Sequence, residues 1–431
     1  METGKTIRGT TQLAFDSAEG VVNIVEGMYR NIAATPFPFA QAPTGRAPGI
    51  AGFVHESIRQ VIGASRTSSD WALARIAPVL DRSLPPGPHR EAVIAVLNGI
   101  AGDHLASTDN PLAINMRLRV FLPRESTAAS PAPELPQDNA GMAFDDLFET
   151  RQRAVEVYPQ QVALTQANFR PTGRLLILAH GLCMNDLEWT SRQHNHATQL
   201  AQHSGYTPVY MVYNSGRHIS TNGRELSAQL AGLLASWPVP VESISFIGFS
   251  MGGLVVRSAL QVAQDEQQPW LSAVRKAVYI GTPHHGAVLE RGGYWLQKGL
   301  TFSPYTAPLS ALGRVRSDGI TDLRHGNVQD ADWQQHDEHE DNTDARLPTP
   351  LPADIEHYAI AATLSQRSGE RIGKLLGDGL VHPSSATGRH AEPRHHLGFA
   401  PANTRIIYGV GHLAMLSDAR VMESLQAWLG N

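Results

Sequence analysis

The stretch Val241-Glu-Ser-Ile-Ser-Phe-Ile-Gly-Phe-Ser250-Met-Gly-Gly-Leu-Val-Val-Arg257 constrains the fold more than any other. Ile244, Phe246 and Ile247 form a short apolar run with the character of a buried strand. Val255, Ala259 and Val262 then recur at helical spacing. Between them stands Gly248-Phe-Ser250-Met-Gly252, and strand, Gly-x-Ser-x-Gly, helix is the layout of a nucleophile elbow. Such a turn holds its serine in a strained conformation with the oxygen exposed, so small residues must stand two before and two after it. Ser250 also lies at a helix start, where free backbone N–H groups can stabilise a developing oxyanion. Small residues would also let an ordinary strand–helix crossover pack tightly; the surrounding pattern favours the catalytic reading.

The rest of the composition narrows the class. A chain of 431 residues exceeds one typical domain, and 42% hydrophobic with 17% charged residues suits a soluble globular protein with a sizeable core. A net charge of -5 offers no basic footprint for nucleic acid. The single cysteine, Cys183, excludes an intramolecular disulfide and fits a reducing compartment. No apolar core of signal-peptide length follows Met1, and no apolar run approaches the ~20 residues of a membrane-spanning helix. The expected location is therefore cytoplasmic. Peripheral lipid contact is left open, and the oligomeric state is not legible.

Residues 11–105 carry helical stripes, the last of them Val93, Ile94, Leu97, Ile100 and Leu105, separated by proline-rich breakers. Residues 1–112 thus read as an N-terminal helical region, and residues 113–431 as the main domain. In the latter, Ala113 to Phe121 is strand-like, residues 123–141 form a Pro/Ala/Ser-rich linker-like loop, and Val155 to Leu164 could supply another strand. From Arg174 onward strands alternate with helices, which predicts a mostly parallel sheet. The expected strands are Leu175–Ala179, Thr207–Tyr213, the elbow strand, Ala273–Ile280, His357–Leu364 and Arg405–Tyr408. Helices are expected over Ser191–His203, Gly223–Trp237 and Ala419–Leu429. Residues 287–353 break the rhythm and read as a cap or lid insertion.

A serine hydroxyl needs a neighbouring base, and the base needs a carboxylate to set its tautomer. In this arrangement acid and histidine follow the serine in that order, just past strand ends. His412, in Tyr408-Gly-Val-Gly-His412, follows the last strand and is the best base among nineteen histidines. Asp378, between Gly377 and Gly379, is the preferred acid, with Asp322 and Asp354 as rivals. His180-Gly181-Leu182 follows a buried strand where the second half of an oxyanion hole belongs, so the N–H groups of Leu182 and Met251 are expected to hold the oxyanion. His180 and Gly181, with His284 and His285 of Gly281-Thr-Pro-His-His-Gly286, are the candidate pocket residues. Cys183 is a competing nucleophile, set aside because a complete serine set stands beside it. His336, His339 and Glu340 are of metal-binding type, but they sit in a run with seven acidic residues from Gln329 to Asp344 and read as a solvated loop. No metal or cofactor is expected.

Taken together, His180-Gly-Leu-Cys-Met-Asn-Asp186, Gly248-Phe-Ser-Met-Gly-Gly253, Gly281-Thr-Pro-His-His-Gly286, Gly377-Asp-Gly-Leu-Val381 and Gly409-Val-Gly-His412 resemble α/β-hydrolases of the esterase/lipase type. Within them they are most similar to bacterial relatives of the GPI inositol-deacylase hydrolases. Ala95 to Leu105 and Asn110 to Ile114 also resemble the N-terminal part of those relatives. The resemblance implies the α/β-hydrolase fold, a mostly parallel central sheet flanked by helices, and attack on a carboxylic ester, so that the expected partner is a small-molecule ester or lipid. It also implies Ser250 as nucleophile, Asp378 as acid and His412 as base. An acyltransferase, thioesterase or polyester hydrolase would use the same triad, and a non-catalytic binding protein of the same fold is the remaining alternative.

Overall fold

The computed structural model describes residues 88–123, 152–158, 170–190, 194–287, 317–334, 344, 346–366 and 377–430. The helices expected over residues 11–80, the linker beyond Pro123, and residues 288–316 and 335–343 of the insertion lie outside the described residues, as do His336, His339 and Glu340.

Eight strands form one sheet in the order β2-β1-β4-β3-β5-β6-β7-β8. They are β1 (Arg117–Pro123), β2 (Gln152–Tyr158), β3 (Arg174–Ala179), β4 (Thr207–Val212), β5 (Ser243–Phe249), β6 (Val274–Ile280), β7 (Glu356–Thr363) and β8 (Thr404–Tyr408). β1 pairs antiparallel with β2 and β4, and every pairing from β4 through β8 is parallel. The crossovers of the parallel part require helices on both faces, so its strands must be apolar on both sides. β3 shows this directly. Leu175, Ile177 and Ala179 join one core, whereas Leu176 and Leu178 join the other.

On the first face lie α1 (Pro88–Ser107), α3 (Ile219–Ser236) and α4 (Met251–Asp265); on the second lie α2 (His196–Ser204) and α8 (Ala419–Leu429). Val96 and Ile100 of α1 share a core with Leu118 of β1 and Ile219 of α3. Asn195 starts α2 by accepting the Ala197 and Thr198 amides, and Gly205 ends it in the left-handed conformation at φ +67°. The described part of the 287–353 stretch includes α5 (Asp318–His325) and α6 (Asp330–Gln334), both docked at the start of α3. There Asp322 Oδ2 accepts the Ile219 amide at 2.8 Å, and Trp333 stacks on His218 at 3.8 Å. α7 (Pro383–Ala386) follows the Gly377–Val381 segment.

Candidate active site

At the end of β5 the chain turns through Ser250, whose φ of +53° and ψ of −124° no ordinary L residue adopts without strain. The turn is stapled to the sheet: Ser250 N–H donates to the Ile280 carbonyl at 2.8 Å, and Gly253 N–H donates to the Ser250 carbonyl at 3.1 Å. The two motif glycines are required by contact. A Cβ on Gly248 would stand 2.4 Å from Gly253 Cα, and one on Gly252 would stand 2.1 Å from the Ala179 carbonyl oxygen. The second contact presses α4 against the end of β3, which brings the 180–182 loop to the elbow. A Cβ on Gly181 would be 3.3 Å from Ser250 Cβ.

His412 lies past β8 at the ends of β5 and β6. Its ring is 5.0 Å from that of Phe249, and its Cε1 is 2.9 Å from where a Gly281 Cβ would stand. Its Nδ1 is 2.7 Å from Asp378 Oδ2, and its backbone N–H donates to the Asp378 carbonyl at 3.1 Å. Asp378 is buried and pinned, since Oδ1 accepts the Leu380 and Val381 amides at 2.9 and 2.8 Å. A carboxylate only accepts, so His412 Nδ1 carries the proton and Nε2 is the basic nitrogen. That nitrogen is buried and has no hydrogen-bond partner among the described residues. Serine, acid and histidine thus gather at one sheet end although 162 residues separate Ser250 from His412. The rival acids are elsewhere: Asp322 is committed to His218 and Ile219, and Asp354 is exposed before β7.

The 180–189 loop is held from beneath. The Tyr213 hydroxyl donates to the His180 carbonyl at 2.8 Å, and Cys183 N–H donates to Ser215 Oγ at 3.1 Å with φ at +60°. The buried Asp186 carboxylate meets Arg119 at 3.3 Å, and Arg119 also pairs with Glu91 of α1 at 2.8 Å. Leu182 is half-buried beside the elbow. Met251 opens α4, where helix geometry leaves its amide without an intrahelical acceptor. The His180 ring stacks on Tyr213 at 4.3 Å, and burial holds its pKa down to about 4, so it is neutral. Burial pushes the Cys183 thiol up to about 12, which leaves it a poor nucleophile.

His284 and His285 lie past β6, yet they line a cavity of about 40 Å³ that Ser250, Asp378 and His412 do not line. His284 Nδ1 is 3.4 Å from Arg257 Nη1, and His285 Nδ1 is 3.3 Å from Arg346 Nη2. Burial, with these cations beside them, holds both imidazoles neutral; His285 is pulled to about 3. Arg257, Arg346, Arg394 and His395 of this cavity escaped the sequence reading. One signal was present: Arg257 interrupts an apolar helical run four residues after Gly253, on the face that packs inward.

Among the described residues no group of three or more His, Cys, Asp or Glu side chains could hold a metal ion, and no helix is long and apolar enough to cross a membrane. Residues 171–320 match a family model described as "Putative serine esterase (DUF676)". No curated protein sequence matches the chain. Similar solved structures include the lipase BlEst2 of Bacillus licheniformis in mature form, at 18% identity over 59% of this chain and 91% of that one, with a TM-score of 0.40. Carboxyl esterase 2 of the mycorrhizal fungus Tuber melanosporum is similar at 16% identity over 60% and 74%, with a TM-score of 0.35. The Pyrobaculum calidifontis esterase is similar at 13% identity over 59% and 74%, with a TM-score of 0.36. The sheet order, the helices on its two faces and the strained serine turn are those of the α/β-hydrolase fold, and residues 171–320, which carry the elbow, match the putative serine esterase family model.

Proposed function

We propose that the protein is a serine hydrolase of carboxylic esters that works through Ser250, His412 and Asp378 and a covalent acyl-enzyme. The observation that carries this reading is the His412–Asp378 contact at 2.7 Å with Nε2 left unpartnered, beside a serine held at φ +53°.

Ser250 Oγ attacks the ester carbonyl carbon, and its proton passes to His412 Nε2. Asp378 Oδ2 keeps the Nδ1–H tautomer in place and stabilises the imidazolium that results. Negative charge moves to the carbonyl oxygen, where the Leu182 and Met251 amides receive it. Collapse of the tetrahedral intermediate breaks the bond to the alcohol, which leaves with the proton from Nε2. Water then attacks the acyl-enzyme, giving its proton to the same nitrogen. The acid departs, and the proton returns to Ser250. In this reading residues 287–353 cap the acyl pocket.

The test is labelling of the purified protein with a fluorophosphonate, mapped by mass spectrometry, with hydrolysis of p-nitrophenyl butyrate as the parallel readout. Modification at Ser250 that fades in His412→Ala and Asp378→Asn is the expected result. Turnover retained in Ser250→Ala would remove that serine from the mechanism.

A further inference from the structure

The cavity beside α4 has an imbalance that the hydrolytic reading leaves unexplained. Three arginines, Arg257, Arg346 and Arg394, and four histidines, His284, His285, His395 and His396, line it, against a single carboxylate, Asp332. The carboxylate and the nearby acceptors already have donors. Asp332 Oδ2 takes the Val328 and Gln329 amides, and its Oδ1 takes the Leu347 amide. The Thr349 carbonyl takes Arg257 Nη2 at 2.9 Å, and Asp344 takes Arg346.

The donors, by contrast, are not used up. Arg257 is 5% exposed, meets no carboxylate at hydrogen-bond distance among the described residues, and its Nε is buried without a partner. Burial pulls its pKa only to about 10, so the guanidinium remains charged at neutral pH. A guanidinium can only donate, which makes His284 Nδ1 the acceptor of their 3.4 Å contact and places the proton on His284 Nε2. That N–H too is buried and without a hydrogen-bond partner, as is His395 Nε2, which lies 3.9 Å from Glu392 Oε2. Unsatisfied buried donors each cost free energy unless something accepts from them. The cavity has room for about three waters or one small oxyanion. Arg346 pairs with Asp344 and Arg394 with Glu392, whereas Arg257 shares the cavity with Asp332 but has no carboxylate at hydrogen-bond distance among the described residues.

We propose that this cavity is an anion site that takes a small oxyanion, either free phosphate or the phosphoryl group of a lipid headgroup, with Arg257 as its anchor and Arg394 at its rim. Arg257 stands seven residues after Ser250, roughly 10 Å along the helix axis. A phosphoryl group held there lies within a short chain's reach of the elbow, yet the site shares no residue with the triad.

Thermal unfolding in sodium phosphate, against sodium chloride at equal ionic strength, tests this in the full chain. About 10 mM phosphate should raise the midpoint of the wild type by about 2 °C. The rise should vanish in Arg257→Gln, shrink in Arg394→Ala and persist in Ser250→Ala. In a second arm, the protein is sedimented with phosphatidylcholine vesicles with or without phosphatidic acid. Binding that needs phosphatidic acid and is lost in Arg394→Ala, without a response to phosphate, assigns the site to the headgroup. No response in either arm overturns the proposal. So does a response equal to wild type in both arginine variants, or one lost in Ser250→Ala, which would place the anion at the elbow instead. Should Arg257→Gln fail to fold, Arg394→Ala decides alone, because its side chain is half in solvent.

Discussion

Ser250 and Arg257 lie on one turn-and-helix unit seven residues apart, and the histidines packed near its two ends, His412 against Phe249 and His284 against Arg257, are opposites. His412 has a carboxylate at 2.7 Å on Nδ1, whereas His284 has a guanidinium at 3.4 Å on the same nitrogen. A carboxylate holds the proton on Nδ1 and stabilises the ring when Nε2 gains another. A guanidinium forces Nδ1 to accept and, with burial, drives the ring's pKa well below its ordinary value. In the proposed mechanism the first ring shuttles a proton, whereas the second only donates a hydrogen bond. Two regions built from the same residue types thus separate by which charge is placed behind the imidazole.

The sharpest way to break this contrast is at the elbow. Ser250→Ala should lower kcat on p-nitrophenyl esters by about 10⁴-fold or more, with an unchanged unfolding midpoint. Next comes the carboxylate: Asp378→Asn should cost about 10³–10⁴-fold in kcat, because the amide no longer fixes the Nδ1–H tautomer. His284→Gln, if the ring is only a donor, should leave the pH profile of kcat/KM where it was; an inflection that moves with this substitution would return His284 to the proton path.

Stability should follow the neutral histidines. His180, His196 and His357 are each held at about 4 by burial, against about 6.5 in the unfolded chain. Between those values the unfolded state binds more protons, so the stability these three rings contribute is full above pH ~6.5 and is lost as pH falls through this window to ~4. A calorimetric midpoint that held steady from pH 7 to pH 4 would contradict their burial as neutral rings. The smallest effect is expected for Tyr213→Phe, which removes one hydrogen bond to the His180 carbonyl. It should destabilise by about 1–2 kcal/mol and reduce kcat more than it raises KM.

Much of the sheet was legible because its signals are local. The β5 apolar run and the helix stripe after it were readable directly, and the closing helix Ala419–Leu429 matches its expected span. Helix starts were less readable. α3 begins at Ile219 rather than Gly223, because its first turn is fixed by Asp322 from a segment 103 residues away. β1 starts at Arg117, later than Ala113, because Ile114 N–H is taken by Asn98 Oδ1 of α1 instead of a strand neighbour. The order Ser250, Asp378, His412 could be proposed from the sequence, since each stands just past a strand or between glycines.

By itself, then, the sequence determined the parallel sheet, the Gly-x-Ser-x-Gly turn and the residue types available at the strand ends. Only the tertiary structure decided which of them meet. It joined Asp378 rather than Asp322 to His412, turned His284 and His285 toward Arg257 and Arg346, and packed α1 into the same core as β1. The reason is physical. Periodicity and turn chemistry act over a few residues and mark elements, whereas a histidine's charge and tautomer depend on the group packed against it, brought there by distant chain.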